Sequence, residues 1–140
     1  MAEQRVTKEL NIEASLDNMH LVLDTLEELL SATDCPLGLI TMILISVEEA
    51  YVNVASYAYP EGELGECQLE YALEENTIII DLYDAGVPYN PLQKEDPDIT
   101  LKAEERGIGG LGIYMVKQTM DEVTYEYQEG KNHLCMKKSW

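Results

Sequence analysis

The segment Ser46–Asn53, with the sequence SVEEAYVN, lies inside a long apolar stretch that predicts a helix from about Pro36 to Tyr59. Apolar residues recur there at steps of three and four, the spacing of one face of an α-helix. These residues are Ile40, Ile43, Val47, Ala50, Val54 and Ala58. Others widen that face, namely Leu37, Leu44, Tyr51 and Ala55. We therefore expect this helix to be deeply buried and the rest of the chain to pack around it.

A polar stripe interrupts the apolar helix, because Ser46, Glu49, Asn53 and Ser56 also follow helical spacing. An unpaired carboxylate is costly to bury, so Glu49 is expected to face a cavity that holds water, a metal or a ligand. Glu49 and Asn53 are one turn apart and project the same way, which suits a general base beside a magnesium ligand. The alternative is that Glu48 and Glu49 form a solvated rim while Asn53 bonds to a neighbouring element.

Composition and charge restrict the classes of function. The 140 residues are 46% apolar, which is typical of a globular domain with a sizeable core. The net charge of −18 argues against nucleic acid and anionic membranes as partners. It favours a partner with a basic surface, or else serves solubility alone. No apolar run near the ~20 residues of a membrane span and no signal-peptide pattern are found, so we expect a cytoplasmic protein without a membrane segment.

The remaining periodicity predicts an α+β two-layer sandwich in one domain, 1–140, with a mixed sheet and helices on one face. Helices are predicted at Ser15–Ala32 and Leu111–Met120. Strands are predicted at Val6–Ile12, Glu66–Leu73, Thr77–Tyr83, Val123–Tyr127 and His133–Lys137. The segment from Val87 to Arg106 has little periodicity, and a loop of this length is usually functional or mobile.

Two further motifs carry possible chemistry. Gly107–Gly112 (GIGGLG) leads straight into a predicted helix, a context in which glycines expose backbone N–H groups to phosphates. It lacks the lysine of a P-loop and does not follow a strand, and a flexible hinge is the alternative. Asp84-Ala85-Gly86 stands at the end of a predicted strand, where Asp and Gly also favour an ordinary turn.

Taken in order, Glu49-x-x-x-Asn53, Asp84-x-Gly86 and Gly109-Gly-Leu-Gly112 resemble the N, G1 and G2 boxes of the gyrase/histidine-kinase/MutL-type ATPase fold. The run Gly-Gly-Leu-Gly-Ile-Tyr-Met-Val, followed by Met-Asp-Glu-Val, is most similar to the anti-sigma factor serine/threonine kinases that control bacterial sporulation and general stress responses. The resemblance covers nearly the whole chain.

The resemblance implies a role for each matched residue. Asp84 would accept a hydrogen bond from the adenine amino group, and Gly86 would leave room for the purine. Asn53 would ligate Mg²⁺ between the phosphates, and Glu49 would orient or deprotonate the attacking serine hydroxyl. The phosphates would be cradled by residues of the last box, and these are Gly109, Gly110, Leu111 and Gly112. The ATP lid would span about 87–110, with Arg106 as the nearest candidate for a lid cation.

The resemblance also implies cofactors and partners. These are ATP, Mg²⁺, a sigma factor that the protein sequesters, and an antagonist of the sulfate-transporter/antagonist type that it phosphorylates, with a homodimer as a possible assembly. Arg106 lies before the glycines, which is not the usual position of the lid cation in this family. The alternative function is therefore a nucleotide-binding partner switch without phosphoryl transfer. A structural domain that binds no nucleotide is a third hypothesis.

Overall fold

Five strands and three α-helices form the part of the chain that the computed structural model describes, which is residues 5–60, 63, 65–93 and 110–140. The strands are β1 Val6–Glu13, β2 Glu66–Glu74, β3 Thr77–Asp84, β4 Glu122–Gln128 and β5 Lys131–Ser139. The helices are α1 Met19–Ser31, α2 Leu37–Asn53 and α3 Gly110–Thr119. Each predicted helix and strand is present, with ends that differ by a few residues.

The sheet has the strand order β1-β2-β3-β5-β4, and every neighbouring pair is antiparallel. The predicted mixed sheet is therefore wrong in that detail, whereas the α+β two-layer architecture is confirmed. Tight hairpins join β2 to β3 and β4 to β5. Because a hairpin reverses the chain direction, the two strands that it joins are antiparallel. Their turns use left-handed backbone, with φ of 49° at Glu75, 54° at Glu129 and 80° at Gly130.

The core lies between the inner face of the sheet and the helices. Side chains alternate along β3, so Ile78, Ile80 and Leu82 are buried on the inner face, while the residues between them are only half-buried. Helix α2 packs against both α1 and α3. The central position of α2 explains why its apolar residues extend around most of its circumference.

The helical stretch Leu37–Ala58 is long and apolar enough to cross a membrane by length and composition. The expectation that no such run exists was therefore wrong. In the fold this stretch supplies much of the core, and Ile43, Val47 and Tyr51 have no exposed surface. A core helix of a folded domain meets the same length and hydropathy criterion, so this stretch is weak support for a membrane segment.

Helix α2 does not stop at Asn53, because the chain continues through one π-helical turn, Val54–Ala58. A π turn closes hydrogen bonds between residues i and i+5 and is often found at functional sites. The sequence predicted a continuous helix here and gave no sign of the wider turn. This turn brings Val54, Tyr57 and Ala58 to the end of the sheet described below.

The C-terminal residue, Trp140, is fixed to two other parts of the molecule. Its indole N–H donates to Asp34 Oδ1 at 2.9 Å, and its backbone N–H donates to the Asn76 carbonyl at 2.9 Å. Because Trp140 is the sole tryptophan of the chain, its fluorescence reports on whether β5 and the α1–α2 connection stay folded.

Candidate functional site

A hollow opens between the C-terminal end of α2, its π turn and one end of the sheet. It contains about 480 Å³ of empty volume, part of which is open to solvent. Its lining residues are Ala50, Asn53, Val54, Tyr57, Ala58, Leu82, Asp84, Val87, Tyr89, Pro91, Tyr125, Asn132 and Leu134. Mostly apolar walls with a few polar groups are typical of a site for a small organic molecule.

Asp84 is the buried acid of this hollow, only 7% exposed. It is the last residue of β3 and follows the inward-facing alternation of that strand. Its Oδ1 accepts the backbone N–H of Gly86 at 2.9 Å and Nδ2 of Asn132 at 2.9 Å. Both hydrogen bonds that described residues make to this carboxylate go to Oδ1. Oδ2 accepts no hydrogen bond from the described residues.

Gly86 makes a close approach that only glycine allows. A Cβ atom built at this position would lie 2.1 Å from the backbone oxygen of Ala58 in the π turn. The next residue, Val87, donates its N–H to the same oxygen at 2.9 Å. Glycine is thus required here to bring the Asp84 turn against the π turn. That Gly86 also leaves room for a purine stays a prediction.

Tyr59 holds the Asp84 turn from the opposite side. Its hydroxyl accepts the N–H of Ala85 at 2.9 Å and donates to the Glu66 carbonyl at 2.5 Å. The ring lies over Gly65, where a Cβ atom would be 2.1 Å from it. Burial raises the pKa of Tyr59, so the hydroxyl keeps its proton at neutral pH and remains able to donate.

Asn132 also holds the Asp84 turn, and only 6% of its surface is exposed. Its Nδ2 donates to Asp84 Oδ1 and to the Val87 carbonyl, both at 2.9 Å. Its Oδ1 accepts the N–H of Tyr89 at 3.1 Å and the hydroxyl of Tyr125. No motif in the sequence indicates a role for Asn132. It is the second residue of β5 and follows a tight turn, where asparagine is common, and its partner Asp84 is 48 residues away.

The predicted polar stripe of α2 is only partly a site feature. Ser46 is fully buried and donates to the Met42 carbonyl at 2.9 Å, and Ser56 is exposed, so neither contributes to the hollow. Asn53 is half-buried and lines the hollow, while Glu49 is half-buried one turn earlier and does not line it. Among described residues, neither side chain has a hydrogen-bond partner, so the alternative in which Asn53 bonds a neighbouring element finds no support.

The glycine-rich segment is described only in part. Residues Gly110, Leu111 and Gly112 form the first turn of α3, which confirms that the glycines lead into a helix. Arg106 and Gly109 lie outside the described residues, as does most of the predicted lid. Its first part, from Val87, continues into a short 3₁₀ turn at Pro91–Gln93.

Comparison with known proteins identifies relatives of the chain. Residues 12–138 match the model of the family described as histidine kinase-like ATPase domain. "Serine-protein kinase RsbW" of Listeria monocytogenes is 31% identical over 90 residues, which cover 61% of this chain and 57% of that protein. The protein of the same name from Bacillus thuringiensis is 33% identical over 97 residues, which cover 66% of this chain and 60% of that protein. The chain thus matches less than two thirds of the length of these relatives.

A solved structure supports the fold independently. The crystal structure of the RsbU and RsbW domains of Rv1364c from Mycobacterium tuberculosis aligns with a TM-score of 0.67 over 96% of this chain and 32% of that chain. At 14% identity this likeness concerns the fold alone. Because the family model extends over residues 12–138, the chain belongs to the histidine kinase-like ATPase domain family.

Proposed function

We propose that this protein binds Mg·ATP in the hollow and transfers the γ-phosphoryl group to a serine of an antagonist protein. We propose further that it sequesters a sigma factor. The observation that carries the proposal is Asp84, a buried carboxylate with one oxygen fixed by two hydrogen bonds and the other left for a ligand in an apolar hollow. The similarity to serine-protein kinases RsbW supports the phosphoryl transfer and the partners.

Recognition of adenine follows from the chemistry of Asp84. Its Oδ2 would accept a hydrogen bond from the exocyclic amino group, and Val54, Leu82 and Leu134 would contact the faces of the ring. A base that has a carbonyl oxygen in place of the exocyclic amino group would place that oxygen against Asp84 Oδ2, and both atoms are hydrogen-bond acceptors. A site built for a hydrogen bond rejects such analogues strongly, because its buried polar atom is then unpaired.

Asn53 is the side chain at the hollow that would ligate a magnesium ion. Mg²⁺ prefers oxygen ligands, which an amide supplies, and commonly retains several waters. A chain of net charge −18 is a poor environment for a triphosphate unless a cation is present. When bound, Mg²⁺ would neutralise charge on the phosphates. Asn53 would hold it, and the first turn of α3 would supply N–H groups to the phosphates.

Glu49 would serve the acceptor hydroxyl. A helix rises about 1.5 Å per residue, so Glu49 is about 6 Å from Asn53 along the axis of α2, on the same face. In the proposed step the serine oxygen bonds to the γ-phosphorus, the bond from that phosphorus to the bridging oxygen breaks, and ADP leaves. The serine proton passes to the Glu49 carboxylate, which orients the hydroxyl beforehand.

The wider role is proposed from the same similarity. One domain over 1–140, an ATP lid over about 87–110, with Arg106 as its cation, and a cytoplasmic location fit this function. A homodimer is the proposed assembly. The strongly acidic chain suits partners with basic surfaces, since complementary charge speeds association.

The test is phosphoryl transfer from γ-labelled Mg·ATP to a purified antagonist of the sulfate-transporter/antagonist type. We expect label on one serine of the antagonist and a thermal shift of the protein with Mg·ATP, because a bound ligand stabilises the fold by mass action. A thermal shift without transfer would select the alternative, a partner switch that binds nucleotide and transfers nothing. No thermal shift would reject nucleotide binding altogether.

A further inference from the structure

We propose that the outward side of α2 is a docking surface for a partner helix whose apolar face is flanked by lysines and arginines. The surface is the row Leu37, Thr41 and Ile45, which we call the α2 ridge, and the same row continues along the helix to Glu49. This rests on the proposed function in one respect, because the docked protein would be the one that presents the serine. Docking itself needs no nucleotide.

The α2 ridge follows one of the rows along which helices pack. Its residues are four positions apart, and such rows fit into the grooves of a second helix. The core-facing residues of α2 lie on its other side, where Ile43 and Val47 have no exposed surface. On the ridge, Leu37 is 79% exposed, Thr41 is exposed and Ile45 is half-buried. In the described part of the chain, the ridge is therefore open to solvent.

Helix α2 and its π turn are more apolar than their burial in this domain requires. The most apolar window of Leu37–Ala58 has a mean hydropathy of 1.5, yet only 39% of it is buried. Contacts with α1 and α3 account for the flanks of α2. They leave Leu37 and Ile45 outside, at helical spacing. A single exposed apolar residue needs no explanation, but apolar residues aligned on one helix face are typical of a site for another helix.

The distribution of charge indicates the chemistry of the partner. No lysine or arginine occurs in residues 9–93 of the sequence, a segment that contains both α1 and α2. Helix α1 packs against α2 and has three exposed acids, namely Asp24, Glu27 and Glu28. A basic partner would meet acids and no cation on these two helices, and complementary charge speeds association. A second copy of this chain would instead place acidic helices against each other.

The length of the row suits a helical partner. A helix rises about 1.5 Å per residue, so Leu37 and Glu49 are about 18 Å apart along the axis of α2. A partner helix of about 12 residues in contact with this row would reach the side of Glu49, the proposed acceptor of the serine proton. The described residues that line the hollow do not include the α2 ridge, so partner and nucleotide would not compete for the same atoms.

The experiment measures binding of a synthetic peptide in the absence of nucleotide. The probe is a fluorescently labelled peptide of about 18 residues with leucines at steps of three and four and with lysines and arginines elsewhere. A peptide of the same composition, with its leucines spread over all faces, is the control probe. We expect the first peptide to bind more tightly and to become helical in circular dichroism. Its affinity should fall as salt is added, because salt screens the attraction.

Two matched pairs of variants locate the site. Leu37→Ser should weaken binding about tenfold, the effect of one buried leucine, while Leu16→Ser, at a leucine that is 57% exposed before α1, should change it by less than about twofold. Thr41→Lys should also weaken binding about tenfold by repelling the cations of the peptide, while Thr7→Lys on β1 should have little effect. Equal losses within both pairs, or equal binding of the two peptides, would mean attraction by net charge alone and would overturn the inference.

Two further measurements separate the possible occupants of the α2 ridge. Sedimentation should give the same oligomeric state for the wild type and Thr41→Lys, and a dimer that Thr41→Lys converts to a monomer would assign the ridge to a second copy and overturn the inference. In the transfer assay, Leu37→Ser should raise KM for the antagonist and leave the Kd for Mg·ATP unchanged. An unchanged KM would overturn the inference. Peptide binding on the ridge without any transfer by the wild type would reject the proposed kinase activity and leave the docking surface established.

Discussion

The two ends of the candidate site differ in how their polar side chains are held. At one end, Asp84 is buried and accepts a hydrogen bond from Asn132, and its turn donates the N–H of Ala85 to the hydroxyl of Tyr59. At the other end, Glu49 and Asn53 are half-buried on α2, and among described residues neither side chain has a hydrogen-bond partner. We call these the fixed end and the open end.

Under the proposed function, this difference corresponds to different tasks at the two ends. A base is recognised by direction, and a rigid acceptor avoids the entropy cost of ordering the side chain on binding. A metal ion brings its own bound waters, and a protein substrate brings its own geometry. The side chains that contact the metal ion and the substrate therefore have no hydrogen-bond partner before binding. Substitutions at the fixed end should therefore alter affinity and stability, whereas those at the open end should alter the rate of transfer.

The largest effect is expected for Glu49→Gln at the open end. Removal of a group that accepts the serine proton should lower the rate of phosphoryl transfer by about 100-fold or more. The Kd for Mg·ATP should change by less than about twofold, because Glu49 does not line the hollow. Labelled transfer and calorimetry measure the two quantities. Glu48→Gln is the matched control, since Glu48 is exposed on the neighbouring face, and equal rates in the two variants would remove Glu49 from the mechanism.

Asp84→Asn should have the next largest effect. Loss of the charged acceptor should raise the Kd for Mg·ATP by about tenfold to 100-fold, the range for a hydrogen bond to a charged group. Calorimetry measures it. Asp81→Asn is the control on the same strand, because Asp81 points to the outer face and pairs with His133 at 2.7 Å. If both variants bind as the wild type does, the hollow is not the base site.

Gly86→Ala tests whether the fixed end is tightly packed. The added methyl group would meet the Ala58 carbonyl at 2.1 Å, and such overpacking lowers the free energy of unfolding by about 1–3 kcal/mol. Gly38→Ala is the matched control in the first turn of α2, where nothing lies within 4 Å, and it should stabilise by up to about 1 kcal/mol. Urea unfolding followed by Trp140 fluorescence compares them, and a neutral Gly86→Ala would contradict the close approach.

Tyr59→Phe should have the smallest effect. Loss of the hydroxyl that links Ala85 to Glu66 should cost about 1 kcal/mol of unfolding free energy. Burial raises the pKa of Tyr59, so its contribution is fully present below the unfolded pKa of about 10 and is lost as the pH rises through the folded value.

The free energy of unfolding should therefore decline less steeply between pH 8 and pH 11 for Tyr59→Phe than for the wild type. Tyr57→Phe is the matched control, because Tyr57 lies in the same region and is 57% exposed. If the free energy of unfolding has the same pH dependence in Tyr59→Phe and in the wild type, the hydroxyl does not make the hydrogen bonds described.

The sequence predicted the elements well because each has a clear period or boundary. Ser15, where the first helix was predicted to start, caps a 3₁₀ turn at Leu16–Asn18 that leads into α1, and its Oγ accepts the N–H of Asp17 at 3.1 Å. The alternation in β3 leads directly to a buried Asp84. The mixed sheet was a wrong detail, since strand direction depends on how distant segments pair rather than on local pattern.

Two of the missed features of the site depend on distant contacts. The approach of Gly86 to Ala58 and the amide of Asn132 bring together residues far apart in the chain, whereas the π turn is local but has no sequence pattern that sets it apart from an α-helical turn. A lone asparagine beside a hairpin is typical of a turn, and nothing in its neighbours shows which carboxylate it will meet. Residues of the site were therefore singled out where a motif contains them and missed where long-range packing brings them to the site.

The π turn at Val54–Ala58 also has a consequence for insertions and deletions in this chain. A π turn holds one more residue than the α-helical turn it replaces, so removal of a single residue there would let α2 continue as a regular and intrinsically better helix. The same deletion would rotate the Ala58 carbonyl away from Val87, whose N–H it accepts at 2.9 Å. The helix would become more regular while the wall of the hollow lost this contact, so the length of this stretch is constrained by the hollow and not by the helix.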